Sequence, residues 1–323
     1  MARRLRMAAG ALPAGTAHDS VLLLAFGGPV RPQDVRPFLD HVLRGKPVPK
    51  ERYEEVVRHY EDVGGASPLN RLTLAQAAGL RDLLAQEGPD LPVYVGMRHW
   101  EPFVAETLAM MAREGRRRAV GIVLAGHRSA ASWDAYLETA AEGQERLGDR
   151  APRIDYAPSW SEHPLFVEAL ADRTLEAFER VPVERRAGAR LVFTAHSIPA
   201  GMSAASGYAG ALSRTAARVA ERLAIGAWSM AYTSRSGNPR DPWLEPDIAE
   251  ALAAIRRDGA HDVVVSPIGF LTDHVEVLYD LDVAARRTAG ELGLGFFRAG
   301  TAGSHPAFLR LLLALVRDVI AAA

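Results

Sequence analysis

Residues 190–199 read RLVFTAHSIP, and the rest of the chain is arranged around them. Leu191, Val192, Phe193 and Thr194 form a run of the kind that makes a strand buried on both faces, and Pro199 forbids its simple continuation. Ala195, His196 and Ser197 therefore fall at the carboxyl end of a strand. In open α/β sheets that edge is where ligands bind, which makes the His196 imidazole a site candidate rather than only a satisfied histidine at a strand end.

A second segment strengthens that reading. GFLTDHVEVLYDLD (269–282) follows another strand-like run at 262–266 and supplies carboxylates of the kind that complete a metal site. Read as one helix over 273–292, it stacks Glu276 and Asp280 four residues apart on one face, while Leu278, Leu281 and Ala285 lie on other faces and dock the helix on the sheet. Two like charges so placed repel by a few tenths of a kcal/mol on an exposed helix, and a nearby cation reverses the sign. The bland alternative is a solvated acidic face.

Outward from these two segments the pattern is regular. Strands are expected at 21–26, 93–96, 119–124 and 153–156, with helices at 32–43, 50–60, 73–86, 103–114, 133–146 and 163–180. The alternation then restarts, with strands at 191–194, 228–232, 262–266 and 295–298 and helices at 212–223, 246–257, 273–292 and 306–321. Such alternation implies parallel sheets covered on both faces. The fold class is α/β, with two Rossmann-like lobes of about four parallel strands each. The first is expected over 20–187 and the second, carrying the metal site, over 188–323; residues 1–19 read as a disordered extension. A ligand cleft between the lobes is the natural expectation.

Composition excludes several chemistries. The 323 residues contain no cysteine, which rules out disulfides, thiolate catalysis and Cys-ligated zinc or iron–sulfur clusters. Any metal must be held by His, Asp, Glu, Tyr, Met or water, a donor set suited to transient divalent ions. A net charge of −1 gives no reason to expect a nucleic-acid partner, and no apolar run is long enough for an integral membrane segment. FGGP (26–29) and VGGASPL (63–69) lack the spacing of phosphate loops, so no nucleotide is inferred, and Ser67 fits an N-cap for the helix that follows it.

Taken together, FGGPV, RYEEVVRHYEDVGGASPL, GMRHWEPF, IVLAGHRSAAS, FTAHSIP, TSRSGNPRDPWLEPD and PIGFLTDHVEVLYDLD resemble the motifs of ferrochelatases in order and spacing, over nearly the whole chain after Ser20. The resemblance is greatest to the cysteine-free bacterial branch that inserts iron into coproporphyrin III. It implies a two-lobed class II chelatase fold and a cytoplasmic monomer. Fe2+ and porphyrin are its substrates, and no cofactor is permanently bound. It assigns His196 and Glu276 to catalysis, His196, Glu276 and Asp280 to the metal, and Arg44, His59, Tyr60, Ser67 and Tyr136 to the porphyrin. An imidazole near its ordinary pKa and a carboxylate then serve as base and metal donor. Four positions depart from the pattern: Leu43 replaces the first of two arginines, His59 stands where Arg is common, Phe26 where some relatives have an iron-ligating Tyr, and Ala284 where an acid is frequent. The alternatives are a cobalt or nickel chelatase of a related tetrapyrrole and a non-catalytic porphyrin or haem binder.

Overall fold

The computed structural model describes residues 17–45, 47–236 and 241–323. Its strands are β1 (Ser20–Ala25), β2 (Val93–Met97), β3 (Arg118–Val123), β4 (Arg153–Tyr156), β5 (Arg190–His196), β6 (Trp228–Thr233), β7 (Asp262–Ser266) and β8 (Gly295–Arg298). The α-helices are α1 (Val35–Val42), α2 (Lys50–Asp62), α3 (Leu69–Glu87), α4 (Val104–Arg113), α5 (Ala135–Leu147), α6 (Pro164–Glu179), α7 (Val183–Arg186), α8 (Ala200–Ser206), α9 (Tyr208–Arg222), α10 (Ile248–Arg257), α11 (Val275–Val277), α12 (Arg286–Glu291) and α13 (Pro306–Ala321). Every strand pairing is parallel, and the two sheets share one topology, β2-β1-β3-β4 and β6-β5-β7-β8. The two Rossmann-like units expected from the alternation are thus present. In each the first strand occupies an interior position, which is why SVLLLA and most of RLVFTAH are buried on both faces.

Two helices cross between the sheets. Helix α6 follows the first sheet in sequence yet packs on β7, β8 and α9 of the second, and α13, at the end of the chain, returns to α3 and β3 of the first. Phe166 and Leu170 of α6 and Phe308, Leu311 and Leu312 of α13 join Leu23 of β1 and Phe193 of β5 in one continuous apolar core.

Three expectations require correction. The segment 273–292 is not one α-helix: it opens as the short α11, widens into a π-helix over Leu278–Ala285 and closes as α12. Apolar periodicity carries no signal for the i→i+5 pattern of a π-turn, so the sequence could not show it. Of the expected extension, residues 1–16 lie outside those described, whereas His18 and Asp19 are held. The His18 ring lies 3.1 Å from the Asp155 carboxylate, and the Asp19 amide donates to the Arg118 carbonyl at 2.9 Å. The loop expected between His196 and residue 212 is mostly helical, as α8 and the first turn of α9. Among the described residues no helix is long and apolar enough to cross a membrane.

Candidate active site

The carboxyl end of β5 delivers His196 into a site completed by the loop after β7. That loop can approach because residue 269 is glycine: a Cβ there would lie 2.5 Å from the Ala195 Cβ and 2.7 Å from its Cα. The Gly269 amide donates to the Thr194 carbonyl at 3.1 Å, locking loop to strand. Farther on, the His274 ring accepts the Glu276 amide at 3.3 Å and caps α11. Arg298 of β8 grips the Asp273 and Asp282 carboxylates at 3.1 and 2.8 Å, fixing both ends of the acid-bearing segment. Charge-assisted contacts of this kind hold geometry as well as adding stability.

The result places His196 Nε2 3.5 Å from Glu276 Oε1. The other ring nitrogen, Nδ1, donates to the Ser197 carbonyl, and this fixes the tautomer. A neutral His196 thus turns its bare Nε2 toward Glu276. The backbone is held as well: the Tyr208 hydroxyl donates to the His196 carbonyl at 3.2 Å, and the Ser197 amide donates to the Thr233 carbonyl at 2.8 Å.

The electrostatics differ from a resting neutral base. Burial disfavours charge on His196, but the Glu276 carboxylate outweighs it and raises the imidazole above its ordinary range. Burial likewise opposes charge on Glu276, and His196 overrides it, holding the carboxyl below the usual carboxylate range. With no ligand bound, the two form an imidazolium–carboxylate pair at neutral pH. Asp280 is the opposite case. Burial pushes it up to about 7 against the hydrogen bond from Ser234, with the Glu276 charge adding to the rise.

Asp280 does not complete a three-ligand cluster. Among the described residues no three His, Asp or Glu side chains stand close enough together to hold one ion. Asp280 lies in the π-helix rather than one α-helical turn after Glu276, still feels the Glu276 charge, and takes a hydrogen bond from Ser234 at Oδ2. Ser234 follows β6 in the left-handed region (φ 62°), a conformation that costs a non-glycine residue roughly 1–3 kcal/mol.

Helix α2 covers the pair from the first lobe. Tyr60 is buried, and both its burial and the negative charge of Glu276 push its phenol up, keeping it a neutral hydroxyl. His59 stacks on Tyr279 of the π-helix with ring centroids 3.6 Å apart. Burial lowers the His59 pKa, as do the nearby charges of Arg52 and Arg58, against the pull of Glu55 and Asp62. Val275 packs among Phe38, Val57 and Tyr60. Of the expected residues, His196, Glu276, Tyr60 and His59 thus converge, and Asp280 lies near enough for its charge to act on His196.

Arg44, Ser67 and Tyr136 do not touch the pair. Arg44 lies just past α1, and among the described residues its guanidinium has no partner. Ser67 is buried beside Gly28, and its hydroxyl accepts the Leu69 amide at 3.3 Å, close to the N-cap role its position suggested. Tyr136 is buried in the first lobe, its phenol pushed up by burial. Phe26 stands 40% exposed beyond the carboxyl end of β1, against His99 at 4.5 Å between ring centroids.

Sequence reasoning missed Ser234, His274, Tyr279 and Asn70. Asn70 accepts the Gly28 amide at 2.8 Å and so joins the two glycine-rich loops. Only His274 carried a local signal: it sits two residues before Glu276, where a ring nitrogen caps a helix.

Comparison with solved structures defines the class first. The fold is that of chelatases: SirB from Bacillus subtilis, solved with Fe3+, superposes at a TM-score of 0.59 and 15% identity over 94% of this chain and 96% of its own. DR2241 from Deinococcus radiodurans, described as structurally similar to chelatases with two additional domains, superposes at 0.57 and 15% identity, over 94% of this chain and 56% of its own. The family model for ferrochelatase matches residues 18–320, and this chain belongs to the ferrochelatase family. It is 42% identical to the coproporphyrin III ferrochelatase of Nocardia farcinica, over 94% of this chain and 88% of that protein. The coproporphyrin III ferrochelatase of Mycolicibacterium smegmatis is 40% identical over 94% and 90%, and the ferrochelatase of Rhodopirellula baltica 38% over 93% and 86%.

Proposed function

We propose that this protein inserts Fe2+ into coproporphyrin III in haem biosynthesis, releasing two protons, with His196 and Glu276 as its catalytic pair. The observation that carries the reading is the imidazole–carboxylate contact of 3.5 Å at the carboxyl end of β5, with Nδ1 committed to a carbonyl and Nε2 free to exchange a proton. Fe2+ approaching Glu276 takes over the proton's role as counter-charge, so the imidazolium loses its stabilisation and releases its proton. The neutral ring then accepts one pyrrole proton through Nε2, passes it on to solvent, and is free to accept the second. Asp280, titrating near neutrality, passes protons outward or receives the metal before Glu276 does. The Arg44 guanidinium, without a partner among the described residues, clamps a propionate bidentately, while His59, Tyr60, Ser67 and Tyr136 contact the macrocycle or its side chains. The protein acts as a cytoplasmic monomer with no permanently bound cofactor.

An anaerobic assay of the purified protein with Fe2+ and either coproporphyrin III or protoporphyrin IX tests this reading. Faster insertion into coproporphyrin III is expected. Turnover confined to cobalt or nickel, or binding of porphyrin without turnover, would replace it by a different chelatase or by a porphyrin-binding role.

A further inference from the structure

Ser234 is the first residue after β6, and its place in the fold is unusual. Its φ of 62° lies in the left-handed region, where glycine is the ordinary occupant, and among the described residues only Ala224 shares that conformation without being glycine. The neighbouring Thr233 is the register partner of His196. Its carbonyl takes the Ser197 amide at 2.8 Å, which ties the end of β6 to the strand end that carries the imidazole. From this point the Ser234 hydroxyl donates to Asp280 Oδ2 on the π-helix, 46 residues later, while Thr233 Oγ1 stands 3.2 Å from the same hydroxyl oxygen.

Strained backbone of this kind collects where one side chain must stand at one spot, and the inference runs from the outlier to a role. What the strain presents here is a single hydroxyl. What that hydroxyl grips is the carboxylate whose charge acts on His196 and which itself feels Glu276. With Oδ2 taken, Asp280 accepts no other hydrogen bond among the described residues, so Oδ1 is left for a metal ion or a proton.

We propose that Ser234 is a positioning residue for metal insertion. By holding Asp280 Oδ2 from the left-handed end of β6, it keeps the carboxylate beside the His196–Glu276 pair with Oδ1 available to incoming Fe2+. The inference rests on the metal-insertion reading and adds to it the residue that orients Asp280. Losing the partner that orients a metal-binding group commonly costs about 10- to 100-fold in metal affinity or activity. A carboxylate without its orienting bond samples several rotamers, so an arriving ion meets the useful one in only a fraction of encounters. The loss therefore falls on Fe2+ capture rather than on porphyrin binding.

The test is a double-mutant cycle on the full chain, Ser234→Gly and Asp280→Ala singly and together, assayed anaerobically for insertion of Fe2+ into coproporphyrin III. Glycine adopts the left-handed backbone without strain, so Ser234→Gly keeps the turn and removes only the hydroxyl. That variant is expected to raise KM for Fe2+ about tenfold, with kcat and porphyrin affinity each within threefold of the parent. In the Asp280→Ala background the same substitution should change KM for Fe2+ less than twofold, because the group it orients is gone. A serine that merely shaped the loop, or that touched the substrate itself, would act alike in both backgrounds. An unchanged KM for Fe2+ in Ser234→Gly, or a tenfold rise that persists in Asp280→Ala, would overturn the proposal while leaving the metal-insertion reading in place. Absence of insertion by the parent protein would overturn both.

Discussion

His196 and Glu276 hold each other's charge, so a mutation at either changes the other as well as itself. Removing a positioned acid or base commonly costs about 10²- to 10⁴-fold in rate. His196→Ala is expected to lower metal insertion at least 100-fold while porphyrin affinity stays within about tenfold, because the ring's proposed work is proton transfer rather than grip. Glu276→Gln should slow insertion comparably. It should also move the His196 titration, followed by imidazole NMR, toward lower pH, since the charge raising it is gone. A Glu276→Gln protein whose His196 titrates as in the parent would show that the contact does not operate in solution.

His127 offers a separate residue-scale test, because it is fully buried and takes no part in the proposed chemistry. Its Nε2 lies 2.9 Å from Thr215 Oγ1, and the Thr215 hydroxyl directs its single proton to the Ser161 carbonyl at 2.9 Å or the Ala211 carbonyl at 3.1 Å, so the ring nitrogen must donate. Protonation would put a charge among the Phe166 and Tyr208 rings, and burial drives the pKa down to about 3. The unfolded chain takes up this proton near pH 6.5, well before the folded one. The contribution to stability is therefore complete above that pH and is lost as pH falls toward 3, at about 1.4 kcal/mol per pH unit. Between pH 6.5 and 5.0 this amounts to about 2 kcal/mol. His127→Gln, which can still donate to Thr215, should lose less stability over that interval in urea unfolding, and equal losses would refute the assignment.

At the scale of elements, the loop after β7 depends on a glycine for its closeness to β5. Gly269→Ala drives a methyl group into the Ala195 backbone, where no flexible side chain can yield, so loop and strand must separate. The expected cost is about 1–3 kcal/mol in stability, together with a loss of insertion activity larger than that cost explains, since Glu276 moves away from His196. An Ala variant of normal activity would mean that the loop finds its place without this contact. The elements also show what sequence can carry. Buried strands such as β1, β5 and β7 announce themselves as apolar runs, with His196 at the edge their topology makes useful, whereas the edge strand RIDY of β4 is neither an apolar run nor buried. The π-helix had no such signature. With it were hidden the hydrogen bond of Ser234 to Asp280 and the stacking of His59 on Tyr279, contacts between residues 46 and 220 positions apart that no local pattern encodes.

The whole molecule is bound together by the crossing of α6 and α13, and here too alternation in the sequence tells less than it promises. It shows that a helix exists after β4 and another after β8, but an amphipathic helix fits either sheet. The restart of the pattern near residue 188 therefore says nothing of which sheet α6 covers. Packing decides: α6 lies on the second sheet and α13 on the first. Severing the chain between 187 and 188 would accordingly strip each sheet of a helix that the other fragment carries. The sharper test removes α13 alone. Its buried residues include Phe308, Leu311, Leu312, Leu313, Leu315, Val316 and Val319. At roughly 1.5–3 kcal/mol for each large apolar side chain, their burial is worth on the order of 10–20 kcal/mol, as much as the 5–15 kcal/mol net stability of a typical domain. A chain ending at His305 is therefore expected to lose cooperative unfolding altogether, with α3 and β3 exposed although both lie more than 180 residues earlier in sequence. If such a chain instead unfolds cooperatively with only its second lobe weakened, then α13 does not close the first sheet, and the continuous core between the lobes fails with it.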